Sequence, residues 1–272
     1  MVKTGHTILQ IFGISIRIAP SWLLIAALIT WSLAEHSLPA QAPDHEFAAY
    51  LLAALATMVL FFASLLMHEL AHALVAKSFG LNVPSITLFL FGGVAELGDE
   101  PDTPGDEFWI AIAGPIMSFV LAIGFWFLST IGSFFLGPLA LAMLFYLAAI
   151  NLVLAVFNLL PAFPLDGGRV LRAYLWARHG DVLRATEQSA RMGEFLAFGL
   201  IGLGLLGLFQ GAQLGGAWQI MIGLFILFAA RSSIETQRLK TFLGDQTVAD
   251  LMTRDVITTT PDKNLSHLVN RL

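Results

Sequence analysis

Cysteine is absent from this 272-residue sequence. That excludes disulfides and thiolate ligands, so any bound metal must be held by His, Asp or Glu. Charge is scarce too. Asp, Glu, Lys and Arg make up 12% of the chain, against roughly 25% in an ordinary soluble domain, and a soluble globular protein is not built from so few. The net charge of -5 is modest and no face collects basic residues, so nucleic acid is not expected as a partner. The first residues lack a short apolar core followed by a small-residue cleavage site, and no removable signal peptide is expected.

What is present in excess is apolar: 57% of the residues, with a mean hydropathy of +0.79. Crossing a hydrocarbon core takes about 20 mostly apolar residues. Six stretches meet that length, at residues 18–36, 46–77, 107–130, 135–160, 193–210 and 214–231. Positive charge orients them. Lys3 and Arg17 precede the first stretch and Lys77 follows the second. Arg169, Arg172, Arg178, Arg184 and Arg191 lie between the fourth and fifth, and the remaining six basic residues follow the sixth. The three opposite loops, near 37–45, 131–134 and 211–213, contain none. All 14 Lys and Arg therefore fall on one side, which implies a multi-pass protein of the cell membrane with both termini cytoplasmic.

Two segments break the helical pattern. Residues 85–97 carry β-branched and aromatic residues around Gly92-Gly93, a pair suited to a tight hairpin turn. The acidic residues after them, Asp99, Glu100, Asp102, Asp106 and Glu107, read as a solvated loop. Residues 161–168 hold two prolines and two glycines, which should end a helix there. Segment 170–191 reads as one amphipathic helix on the cytoplasmic side. The expected fold is an all-α polytopic membrane protein of about six transmembrane helices, with a small membrane-associated β-hairpin or sheet near the candidate site. Residues 1–235 form the membrane domain and 236–272 a linker with the start of a further module.

The strongest chemical signal is His68-Glu69-Leu70-Ala71-His72. On a helix, histidines four apart lie one above the other on the same face, where both imidazoles can reach one metal while Glu69 takes a proton from bound water. The motif follows about 20 apolar residues. An acidic group at mid-membrane costs on the order of 2.5–3.5 kcal/mol, so three ionisable groups at that depth imply a compensating metal. A catalytic zinc takes three protein ligands and keeps one position open for water. His36 and His45 flank the first opposite loop, and His6, His179 and His267 lie outside the spans. Asp166 is the best third ligand, in broken helix after Pro161 and Pro164, a place tolerated only where it is buried or lines a wet cavity. Its alternative role is N-cap of a helix starting near Gly167.

Asn151 and Asn158, seven apart, share one face of the fourth stretch. Asn158 has two readings, an oxyanion donor or a link between helices, whereas Asn151 reads as packing. The glycines at 193, 199, 202, 204 and 207 fit close helix packing better than a gate.

Taken together, HELAH in a span, the LFGGVA segment, Ala113-Gly114-Pro115 opening the next span, and N-x-x-P-x-x-P-x-D-G over 158–167 resemble the site-2 protease family across roughly residues 5–235. The resemblance implies a membrane-embedded zinc endopeptidase that cuts transmembrane segments of other proteins. It implies one zinc per chain held by His68, His72 and Asp166, Glu69 as base, and Asn158 in support of the transition state. Its partners would be a membrane-spanning protein substrate and the lipid bilayer. Ser118 departs from the family, where many members have Asn, which puts a helix contact in question. Residues 246–272 resemble the opening of a CBS domain, so adenine nucleotide would be a partner only through a complete domain. The rival is a metal-ion transporter using His68, His72 and Asp166 as a transit site.

Overall fold

A computed structural model describes residues 5–90, 92–96, 98, 100–244 and 246–252. Among the described residues, six helices are long and apolar enough to cross a membrane. The first is α1 (Ser21–Ser32), which runs on through a π turn at Leu33–Ser37 into α2 (Leu38–Gln41). The others are α3 (Phe47–Ser78), α4 (Pro104–Gly132), α5 (Pro138–Asn158), α7 (Val182–Phe209) and α8 (Gln213–Leu243). The chain is a multi-pass membrane protein, and α3, α4 and α5 pack against one another.

The segment expected as one amphipathic helix is two. Helix α6 (Asp166–His179) ends at Gly180, whose φ of 70° is the left-handed conformation that stops helices. Asp181 then caps α7 by accepting from the Arg184 N–H at 3.0 Å. The fifth span thus begins at Val182, well before the 193 read from hydropathy. Glycines pack it. A Cβ at Gly204 would stand 2.7 Å from the Gly216 carbonyl oxygen of α8, and one at Gly223 2.7 Å from Ile201. Helix α8 runs past residue 231, across the boundary drawn at 235, to Leu243. The short α9 (Val248–Leu251) begins at a capping box of Thr247 and Asp250. Most of the CBS-like segment lies outside the described residues.

The hairpin belongs to a four-stranded sheet in the order β1 (His6–Ile11), β2 (Ile14–Ile18), β3 (Ser85–Phe89), β4 (Gly92–Glu96). Strands β1 and β2 were not foreseen. Their two-residue turn has positive φ at Phe12 (52°) and Gly13 (78°), the geometry of a tight hairpin. Strand β2 pairs parallel to β3 and buries Ile14 and Ile16 against α3. The Lys77 ammonium donates to the Phe12 carbonyl at 2.7 Å, fastening the first hairpin to the end of α3. In the second hairpin Phe89 pairs with Gly92, so the reversal falls before the two glycines, which instead open β4.

Glu107 also departs from expectation. It is a fully buried member of the first turn of α4, where Thr103 caps and Pro104 leads. Its Oε1 accepts from Arg172 Nε at 2.6 Å, and Arg169 Nε lies 4.0 Å away. A charge buried this deeply needs a partner. Here α6 supplies it.

Candidate metal centre

His68 and His72 lie one above the other on α3, buried against α4, and Asp166 is the first residue of α6. The cap position of α6 is Leu165, so the Asp166 carboxylate is free of the capping role and turns to the histidines. His68 Nε2, His72 Nε2 and Asp166 Oδ2 form a triangle with every side 3.2 Å. Three donors held about 2.0–2.1 Å from a tetrahedral zinc stand about 3.3–3.4 Å apart. The three residues therefore fit a zinc ion, with a fourth position left for water. They are the metal-binding group found among the described residues.

The far nitrogens of both rings are engaged. His72 Nδ1 donates to the Ile110 carbonyl at 2.6 Å, and His68 Nδ1 lies 2.9 Å from Ser118 Oγ. With the proton on Nδ1, Nε2 presents its lone pair to the metal, and the ring cannot swing. Ser118, set aside as a departure in a helix contact, is thus the residue that orients His68. Asp166 sits in the first turn of α6. The N-terminus of α6 adds favourable partial charge there.

Glycines make the space. A Cβ at Gly114 would overlap His72 and stand 2.7 Å from His68 Nε2, and one at Gly93 would stand 2.7 Å from the carboxylate carbon of Glu69. Gly93 thereby lets β4 lie directly over Glu69. Gly167 and Gly168 meet the backbone of residues 159–163, and Gly193 of α7 meets the Phe163 carbonyl. Ser189 Oγ donates to the Gly168 carbonyl at 2.5 Å. These close approaches fix the start of α6, and with it Asp166.

The three donors, Glu69, Asn158 and Arg169 line one cavity of about 380 Å³, roofed by Gly92, Gly93 and Val94 of β4. Asn158 reaches it with one amide hydrogen spent on the Leu154 carbonyl at 3.0 Å. Asn151 is fully buried, bonded to the Leu147 carbonyl at 2.8 Å. Ser118, Gly93, Gly114 and Glu107 were not singled out as functional from the sequence. The glycines left a trace in the LFGGVA and Ala-Gly-Pro patterns, and Ser118 in its departure from the family.

The family model for peptidase family M50 matches residues 56–138 and 136–201. A protein of Mycobacterium tuberculosis named as a zinc metalloprotease, Rip3, is 45% identical over 248 residues, 90% of this chain and 62% of that one. A Synechocystis protein also named as a zinc metalloprotease, sll0528, is 40% identical over 232 residues, 85% of this chain and 60% of its own. The chain thus spans about three-fifths of the length of these relatives. Among solved structures, the site-2 protease from Methanocaldococcus jannaschii matches with a TM-score of 0.57 at 29% identity, over 94% of this chain and 99% of that one. With the family model spanning more than half of the sequence and a His-His-Asp centre built on α3 and α6, the chain belongs to peptidase family M50.

Proposed function

We propose that this chain is an intramembrane zinc endopeptidase that hydrolyses peptide bonds within or near membrane-spanning segments of other proteins. The observation that carries it is the 3.2 Å triangle of His68, His72 and Asp166 with Glu69 beside it in one cavity. Zinc held there would polarise the scissile carbonyl and acidify water. Glu69 takes the proton from that water and returns it to the departing amine. Asn158, with one amide hydrogen uncommitted to Leu154, donates to the oxyanion as it forms.

A helical peptide bond is shielded, so the substrate must unwind to be cut. Strand β3 lies inside the sheet between β2 and β4 and has no free edge. The accepting edge is β4, which roofs the cavity. The concentration of Lys and Arg on one side supports cytoplasmic termini, with water entering from that side. Residues 246–272 are proposed as the opening of a CBS module, whose nucleotide binding would need the rest of that domain.

Metal-ion transport would need further ionisable groups leading away from the centre. Among the described residues no second cluster able to hold a metal is found. Purified protein with a membrane-spanning model substrate decides between the two. Cleavage that stops with a chelator and returns with zinc is expected. Zinc flux into liposomes without cleavage would overturn the proposal.

A further inference from the structure

The catalytic cavity continues beyond the metal donors. A second cavity of about 270 Å³ adjoins it; Leu65, Gly92, Leu154, Pro164 and Leu165 line both, as does the ring pair of Phe89 and Phe225. Each element that brings a polar group to the first brings an apolar neighbour to the second. Leu65 lies three residues before His68 on α3, and Leu154 four before Asn158 on α5. Leu165 directly precedes Asp166, and Gly92 precedes Gly93.

The far walls are Phe61 and Phe62 of α3, Ile25 and Ile29 one turn apart on α1, and Trp218, Ile222 and Ile226 at one-turn spacing on α8. Among the described residues, no ionisable or amide side chain lines it. Because α3 runs from Phe47 toward Lys77, the wall residues that precede His68 set this cavity on the side of the metal centre away from Lys77.

We propose that this second cavity is a specificity subsite, which takes one large aliphatic or aromatic side chain from the substrate residue beside the scissile bond, on the side away from the Lys77 end. The proposal rests on the peptidase reading above. Its occupant follows from continuity: a chain stretched over Glu69 beneath β4 has its neighbouring side chain at the mouth formed by Gly92, Leu154 and Leu165. Successive side chains of an extended segment point to opposite faces, so one enters while the next does not. Lipid is already as apolar as the pocket, and transfer alone contributes little. Fit decides. A small residue leaves a void and loses dispersion contacts that a large one makes.

The test uses the zinc-loaded full chain and membrane-spanning substrates carrying Ala, Leu or Phe at that residue. It compares wild type with Ile222→Phe, which fills the cavity, and Trp218→Ala, which enlarges it. Wild type is expected to favour Leu over Ala by about tenfold or more in kcat/KM, within the range that apolar pockets achieve. Ile222→Phe should bring that ratio near one, and Trp218→Ala should move the preference toward Phe. The opposite signs keep the test decisive if one variant does not fold. A folded, zinc-loaded variant whose ratios equal those of wild type overturns the subsite and leaves the peptidase standing. Unchanged ratios with loss of a co-purified lipid, read by native mass spectrometry, give the cavity to an acyl chain and overturn it too. No zinc-dependent hydrolysis by wild type defeats the peptidase reading and the subsite with it.

Discussion

Asp166 Oδ2 stands 3.2 Å from His72 Nε2 across 94 residues of sequence, and Glu69 stands beside the pair without belonging to the donor triangle. The two carboxylates therefore separate in experiment. Glu69→Gln should lower the rate by at least about 10²–10⁴-fold, the usual worth of a positioned acid–base group, with zinc near one per chain. Asp166→Ala should lose zinc and activity together. Metal analysis beside a cleavage assay checks both, and loss of zinc in Glu69→Gln would reverse the assignment.

Ser118 would reach a bound metal through its 2.9 Å contact with His68 Nδ1. Ser118→Ala should weaken zinc affinity about 10–100-fold, the usual cost of removing an outer-shell partner. Ser118→Thr keeps the hydroxyl and should keep most of the affinity. Competition with a chelator reads this directly. Equal affinity in Ser118→Ala would mean that helix packing holds His68 unaided.

Much of this centre is legible in the sequence because its parts are local. The histidines of HELAH share a face by helical spacing, and two prolines and two glycines announce the break that carries Asp166. Hydropathy finds six spans because the bilayer sets their length. What escapes reading is set across long separations. Glu107 looks like any residue of an acidic loop, and only Arg172, 65 residues on, makes its burial possible. The first hairpin alternates Ile14, Ile16 and Ile18, a strand pattern too short to stand out until β3 pairs beside it. The Gly92-Gly93 pair misleads for a related reason. Gly93 is there for Glu69, whose approach no local pattern records.

The Glu107–Arg172 pair is the clamp between α4 and α6. Breaking a buried pair from one side leaves a charge uncompensated, at a cost of about 3–5 kcal/mol. Glu107→Ala should lower Tm on the order of 10 °C at a fixed scan rate. The double variant Glu107→Leu, Arg172→Met should recover most of it. A double variant no better than the single would show that Arg169 or packing holds the clamp.

Topology is open to labelling, since no native thiol interferes. His68 lies nine residues before Lys77, about 13 Å along the helix at 1.5 Å per residue. Ser78→Cys, exposed at the end of α3, should react with an impermeant thiol reagent only from the cytoplasmic face, and Gln41→Cys only from outside. The reverse pattern would invert the proposed orientation and move water entry to the other side.

Gly114 and Gly93 make the sharpest pair, because each leaves room for a different half of the chemistry. A Cβ at Gly114 would stand 2.6 Å from His72 Cε1 and 2.7 Å from His68 Nε2, in the space of the donors themselves. A Cβ at Gly93 would stand 2.7–2.8 Å from the Glu69 carboxylate, and its three nearest neighbours are all atoms of Glu69. Moving the rings or the carboxylate aside would relieve either clash only by displacing the groups to which the proposed chemistry is assigned. Gly114→Ala should therefore lose zinc affinity together with activity. Gly93→Ala should hold zinc at wild-type occupancy while the rate falls at least tenfold, roughly the worth of a displaced proton acceptor. Zinc titration and substrate cleavage on the same samples give the comparison. Equal loss of zinc in both variants would show that β4 supports the metal centre as a whole, and would end the separation of roles drawn between Glu69 and the three donors.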